Sequence, residues 1–219
     1  MTKRTYIGVL TVALAVVLAA GGLLASNMGF KLNYPLTAPG AGSLTGTNTL
    51  ALPDNRQAGV NAASTLMNDI TLLNTTNVQK FLEASDGLQV YTGRKGSGPD
   101  FALATGEGYL VKMTTTVNYI VVGSHDPAFA NALNAPGAGS ASGTNLFSYP
   151  YHSTATTASA LQNDVGLANV TNVQKFLKAT DGLQVYTGRK GSGPDFALVP
   201  GEAYFIKMNT TVNYIPSHY

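Results

Sequence analysis

The sequence predicts a mainly β (α+β) protein: two tandem homologous small β-sandwich or partly open barrel domains, each with one short helix. Three observations predict it. The chain states one unit twice, since Asp86 to Leu103 (DGLQVYTGRKGSGPDFAL) recurs without a change at Asp181 to Leu198. Each copy carries short apolar runs that alternate with polar residues between Gly, Pro, Asn and Asp, the pattern of half-buried strands. Each copy also holds a single stretch of helical periodicity. The repeat reaches beyond the identical block: APGAGS begins at Ala38 and Ala135, GTN at Gly46 and Gly143, and TTVNYI at Thr115 and Thr210. The offset is 97 residues before the loop at Asp54 and 95 after it. A period this long indicates paired domains rather than a solenoid, whose repeats run to about 20–50 residues.

The first element, residues 1–25, reads as an export signal. Thr2-Lys3-Arg4 is followed by an uncharged run from Tyr6 to Ala25, a basic region before an apolar one. A run of about 20 apolar residues also spans a bilayer, so the alternative is an uncleaved anchor and a membrane contact through this segment alone. Gly21-Gly22 favours cleavage. The expected location is extracellular or at the cell surface. The chain has no cysteine, which excludes a lipid anchor on cysteine, disulfides and thiolate metal sites. Without Lys3 and Arg4 the basic count falls from thirteen to eleven and equals the eleven acidic residues. A neutral chain argues against nucleic acid as a partner. Charged residues are 11% of the sequence, and a weakly charged exterior does little to oppose self-association.

Residues 26–37 follow as an apolar strand. Met28, Phe30, Leu32, Tyr34 and Leu36 alternate with Gly29, Lys31, Asn33 and Pro35, which gives one long apolar face. It is either the first strand of the first unit or a donor strand that completes the sheet of another subunit. Repeat domain 1 is then 38–125, a linker 126–134 and repeat domain 2 135–219. The linker copy of the strand is weak, with Phe129 and Leu133 spaced by alanines.

Within each unit the Gly/Pro/Ser-rich opening is irregular. Thr49 to Pro53 and Leu146 to Pro150 are short strands stopped by proline. Ala63, Leu66 and Ile70, matched by Ala158, Leu161 and Val165, form a helical stripe, with Asn61 and Thr156 as N-caps. Val78 to Leu82 and Leu88 to Thr92 flank Asp86-Gly87, a hairpin signal. Phe101 to Leu103 and Tyr109 to Met113 flank a second turn at Gly106-Glu107, with Tyr109, Val111 and Met113 turned to the core. Val117 to Tyr119 and Val212 to Tyr214 close the units.

No catalytic set is legible. Arg94, Lys95 and Asp100, with Arg189, Lys190 and Asp195, lie in a glycine-rich loop, but Pro99 and Asp100 follow its last glycine where a phosphate loop needs Lys-Ser/Thr and a helix. These are candidate binding loops for an anionic surface glycan or a neighbouring subunit, or solvated hairpin loops. Asp86, Asp100 and Glu107 fit no calcium loop. The chain has no tryptophan to serve as a sugar platform, which argues against glycoside hydrolysis. No metal and no cofactor is expected, and the chain is not expected to be an enzyme. His125 and His218 each follow a serine at the end of a unit, a strand-end motif.

The endings GEGYLVKM (Gly106 to Met113) and GEAYFIKM (Gly201 to Met208), VNYI and Ser-His, with Thr157-Ala158-Ser159-Ala160-Leu161, resemble a domain that recurs, often in tandem, in exported proteins of environmental bacteria. The resemblance covers most of both units and implies export and a β-rich repeat, with no activity attached. The expected function is a structural subunit that forms a homopolymer, a filament, tube or surface layer. The alternative is a two-site adhesin or glycan-binding module.

Overall fold

The computed structural model describes residues 29–93, 97–188 and 192–217. Residues 1–25, read above as an export signal, together with Met28, the paired cations Arg94, Lys95, Arg189 and Lys190, and His218, lie outside the described residues. The protein is β-rich, with several antiparallel sheets and, among the described residues, no closed barrel. No helix among the described residues is long and apolar enough to cross a membrane.

In unit 1 the strands are β1 (Phe30–Leu36), β2 (Thr47–Ala51), β3 (Asn55–Arg56), β4 (Thr75–Leu82), β5 (Gly87–Tyr91), β6 (Gly108–Met113) and β7 (Val117–Ser124), with helix α1 (Ala63–Ile70). They form a four-stranded sheet in the order β2-β6-β4-β5 and a three-stranded one in the order β1-β7-β3. Unit 2 repeats the plan with β8 (Asn131–Leu133), β9 (Thr144–Ser148), α2 (Ala158–Val165), β10 (Val170–Leu177), β11 (Gly182–Tyr186), β12 (Ala203–Met208) and β13 (Val212–Tyr214). Its sheets are β11-β10-β12-β9 and β13-β8. Each unit has its own core: Leu36, Leu50, Leu66, Met67, Val78, Tyr109, Val111 and Met113 in the first, and Leu133, Phe147, Leu161, Val173, Tyr204, Ile206 and Met208 in the second.

The repeated motifs have structural duties. GTN places Gly46 and Gly143 at positive φ, where a Cβ would come within 2.3 and 2.5 Å of the Met113 and Met208 carbonyl oxygens. Asn48, fully buried, accepts from the Thr37 backbone N–H (2.9 Å) and donates to the Gly46 and Thr37 carbonyls (2.8 and 3.0 Å). Asn145 repeats this with Asn134 and Gly143. A buried amide so satisfied fixes the entry of each unit. The Tyr109 hydroxyl accepts from Ala104 N–H (2.6 Å) and donates to Glu107 (3.0 Å), which pairs with Lys80 at 2.8 Å. Tyr204, Glu202 and Lys175 do the same. Tyr119 and Tyr214 donate to Asp69 and Asp164 (2.6 and 2.5 Å), tying β7 and β13 to the helices.

Four local expectations are corrected. The helices begin one residue later than Asn61 and Thr156 imply. Thr157 caps α2, its hydroxyl accepting from Ala160 N–H at 3.2 Å. Ala62 holds that place on α1, and there Thr65 Oγ1 accepts from the Asn61 and Ala62 N–H groups (3.0 and 2.9 Å). The turn between β4 and β5 is the four residues after Leu82, with Asp86 alone at positive φ (50°), because Leu82 pairs with Gly87. Phe101 to Leu103 is not a hairpin arm. Phe101 C=O accepts from Ala63 N–H and Leu103 N–H donates to Asn61 C=O, so the segment lies against the start of α1 and buries Phe101 and Leu103. The stretch read as a linker, 126–134, ends in β8, which pairs with β13.

Candidate functional site

The two units pack on each other through a nearly two-fold contact. Ala51 N–H donates to Gly201 C=O (2.8 Å) and the equivalent Ser148 N–H to Gly106 C=O (2.9 Å). Leu44 N–H donates to Lys178 C=O and the equivalent Ala141 N–H to Glu83 C=O, both at 2.7 Å. Reciprocal contacts of this kind define an isologous interface, which closes on itself.

The four-stranded sheets face each other across it. In the register, Leu88 lies opposite Phe81, Val90 opposite Gln79, and Gln79 opposite Leu110, so these side chains share the face turned towards unit 2. Tyr91 and Val78 take the other face and pack in the core of unit 1. Leu110, Leu146 and Ala203 are buried between the sheets, with Phe81 and Phe205 edge to face at 5.6 Å. The sheets meet at β2, β6, β9 and β12. Towards β5 and β11 they part, leaving a cleft of about 400 Å³ lined by Phe81, Leu88, Leu110, Leu183 and Phe205 with Asp86, Ser142, Thr144 and Gln174. Leu88 and Leu183 are each 49% exposed, and Val90 and Val185 are 36% and 38% exposed. Equivalent large apolar side chains of both units, Leu88 with Leu183 and Leu110 with Phe205, line this cleft, which makes it a candidate site.

The predicted site residues fall elsewhere. Phe30, Leu32, Tyr34 and Leu36 do share one face of β1, and β1 pairs with β7 of its own unit from Phe30 opposite Gly123 to Leu36 opposite Val117. Tyr34 and Leu36 are in the core of unit 1, while the Phe30 ring meets Tyr151 of unit 2 at 4.2 Å. Donation to another subunit would first uncover these side chains. Asp100 accepts from Ser64 N–H (2.9 Å) and Ser64 Oγ (2.6 Å) at the start of α1, and Asp195 does the same for Ser159 and α2. Their carboxylates are engaged in holding helix N-termini. Asp86 accepts from Ser142 Oγ across the interface at 2.9 Å. Leu88 and Leu183 were missed because alternation reveals two faces of a strand and not which one its own unit covers.

Two other places hold polar groups. His125 Nδ1 lies 3.1 Å from Asp54 Oδ2, which also accepts from Asp126 N–H; burial raises the Asp54 pKa. His152 stands 6.0 Å from the His125 ring. Beside β8 a polar pocket of about 320 Å³ is lined by Glu83, Glu107, Phe129, Asn131 and Asn134 among others. Burial raises the Glu83 pKa, the Asn134 amide opposes that by donating to it at 2.9 Å, and nearby Glu107 adds to it. On the opposite corner, Lys178 Nζ donates to the Tyr34 hydroxyl (3.0 Å) and burial lowers its pKa. Among the described residues no group of three or more His, Asp or Glu side chains is placed to hold a metal ion. Comparison with protein-family models, curated proteins and solved structures finds no match for the chain.

Proposed function

We propose that this chain is an exported structural subunit that self-assembles into an extracellular filament, tube or surface layer through its two β-domains. The observation that carries the reading is the apolar cleft: two units satisfy each other's backbone across a closed interface yet leave Leu88, Val90, Leu183 and Val185 uncovered. A chain with 11% charged residues adds little repulsion between copies. The test is negative-stain electron microscopy of the exported form at neutral pH over a range of concentrations. Regular filaments, tubes or sheets are expected. Separate particles at high concentration would overturn the reading and favour a glycan-binding module, for which the pocket with Phe129, Asn131, Asn134 and two carboxylates supplies a polar site of ligand size.

A further inference from the structure

We infer that the polar pocket beside β8 binds a small organic ammonium cation, held by Glu83 and Glu107 in the place that a lysine of this chain fills at the opposite corner. Such a site requires no self-assembly. The repeat supplies the comparison: at its offsets Phe129, Asn131 and Ala132 correspond to Leu32, Tyr34 and Pro35, and Glu83 and Glu107 to Lys178 and Glu202. The backbone frame is the same at both corners. A Cβ on Gly201 would meet Leu32 at 2.8 Å and Tyr34 at 3.0 Å, and one on Gly106 would meet Phe129 and Asn131, each at 2.8 Å. The contents differ. At the Gly201 corner Lys178 Nζ donates to the Tyr34 hydroxyl (3.0 Å) and the Pro35 carbonyl (3.5 Å), lies 4.6 Å from the Tyr34 ring centre, and is favoured in its charged form by Glu202. At the Gly106 corner the phenol has become an amide and the ammonium a carboxylate, and a pocket of about 320 Å³ stands open. Lys80 is bound to Glu107 at 2.8 Å, and among the described residues no ion pair includes Glu83. The Asn134 amide donates to Glu83 at 2.9 Å, which orients the carboxylate without neutralising it. Burial and nearby Glu107 both disfavour the Glu83 charge, and a bound cation offsets them. A cation, unlike a neutral ligand, compensates that charge as it covers it. The Asn131 amide N–H donates to Gly106 C=O (2.9 Å), so its carbonyl oxygen remains to accept. Half-buried Phe129 supplies the aromatic surface that Tyr34 gives Lys178. The space exceeds what a bare ion needs, and among the described residues no three acids or histidines gather to hold a metal.

The test is equilibrium dialysis of the exported form at neutral pH, which reads binding whether or not copies associate. The probes are tyramine, which joins a phenol to an ammonium as Tyr34 and Lys178 do, and N-acetyltyramine, the same body without the charge. Tyramine is expected to bind saturably, and N-acetyltyramine about 10-fold more weakly or worse. Glu83→Gln keeps an acceptor for Asn134 and is expected to weaken tyramine about 10-fold, the effect of losing a charged hydrogen-bond partner. Asn131→Tyr places the counterpart of Tyr34 in the pocket and is expected to abolish binding, with circular dichroism unchanged. Asp195→Asn removes a charge outside the pocket and is expected to bind tyramine as the wild type does. If Glu83→Gln fails to fold, Asn131→Tyr decides. A wild type without saturable tyramine binding overturns the inference. So does tyramine bound equally by the pocket variants, or weakened as much by Asp195→Asn, or N-acetyltyramine bound as tightly as tyramine. Filaments seen without tyramine binding keep the polymer and remove the ammonium site; tyramine binding by separate particles does the reverse.

Discussion

Unit 1 and unit 2 differ most at their outer ribbons: β1 and β7 pair over seven residues, from Phe30 to Leu36, whereas β8 and β13 pair over three. The long ribbon fills its corner of the interface. A Cβ on Gly201 would come within 2.8 Å of Leu32 and 3.0 Å of Tyr34, and Lys178 lies over the Tyr34 ring at 4.6 Å. At the equivalent corner the short ribbon supplies Asn131 and Ala132, Lys178 is replaced by Glu83, and a polar pocket remains. The rims of the cleft show the opposite behaviour, since β5 and β11 have one sequence, one register and matched exposure. Two copies of a fold can thus diverge at the corners that join them while presenting the same strand to solvent. The contrast locates asymmetry in the pairing of the units and symmetry in the strands β5 and β11 that they expose.

The sharpest way to break the comparison is inside the cores. Met67 of α1 is fully buried, and its counterpart on α2 is Gln162, 1% exposed, whose amide oxygen and nitrogen find no hydrogen-bond partner among the described residues. A buried unpaired polar group costs about 1–3 kcal/mol. Replacing Met67 by Gln is expected to destabilise the protein by about 2–4 kcal/mol, and Gln162→Met to stabilise it by about 2 kcal/mol. Both are read from the midpoint of urea unfolding at constant slope. An unmoved midpoint for Gln162→Met would show that the amide is satisfied after all.

A smaller effect is expected just after the helices. Thr71 follows α1 with φ at 122°, a region hostile to side chains, and its counterpart Gly166 has φ at 102°. Strain of this kind costs about 1–3 kcal/mol, offset in part by the greater freedom of glycine in the unfolded chain and by the Asn74 amide bond to Thr71 Oγ1 at 3.0 Å. Thr71→Gly is expected to raise stability by about 1 kcal/mol and Gly166→Thr to lower it by about 2 kcal/mol. If the two variants move the thermal midpoint in the same direction, the strain argument is wrong.

Much of the fold was legible. The stripe Ala63, Leu66, Ile70 gave α1, and Tyr109, Val111 and Met113 gave the buried face of β6, because a one-sided burial pattern is written at a fixed period. Thr157 was missed as the cap because Thr156 and Thr157 are both good caps, and the choice depends on Phe196 C=O receiving the Ala158 N–H from 38 residues away. Phe101 and Leu103 alternate as a strand does, yet they bond to Ala63 and Asn61 at the start of α1 rather than to β6, a long-range preference that no local pattern carries. The cleft was illegible for a related reason. Leu88 and Val90 are apolar on a strand whose other face, with Tyr91, already serves the core of unit 1, and the second layer comes from another unit.

The smallest effect separates the two corners by pH. Burial raises the pKa of Glu83, with the Asn134 amide opposing the shift, so the folded protein holds the Glu83 proton more tightly than the unfolded chain does. Its contribution to stability is complete below the ordinary glutamate range and is lost as pH rises through the raised value. Lys178 has a lowered pKa, again through burial. Its contribution is complete above the ordinary lysine range and is lost as pH falls through the lowered value. Acidification through the raised value therefore relieves the burial of a charge at Glu83, whereas at Lys178 it imposes one. The stability of the wild type minus that of Glu83→Gln is expected to increase as pH is lowered from about 7 to about 4. Asp54, also raised by burial, is present in both proteins and cancels in the difference. Half-exposure and solvent screening keep the effect modest, a shift of the thermal midpoint smaller than either backbone or core variant produces. A difference that is flat, or that falls with acidification, would mean that the polar pocket already hydrates Glu83 and that the two corners are less unlike than their geometry indicates.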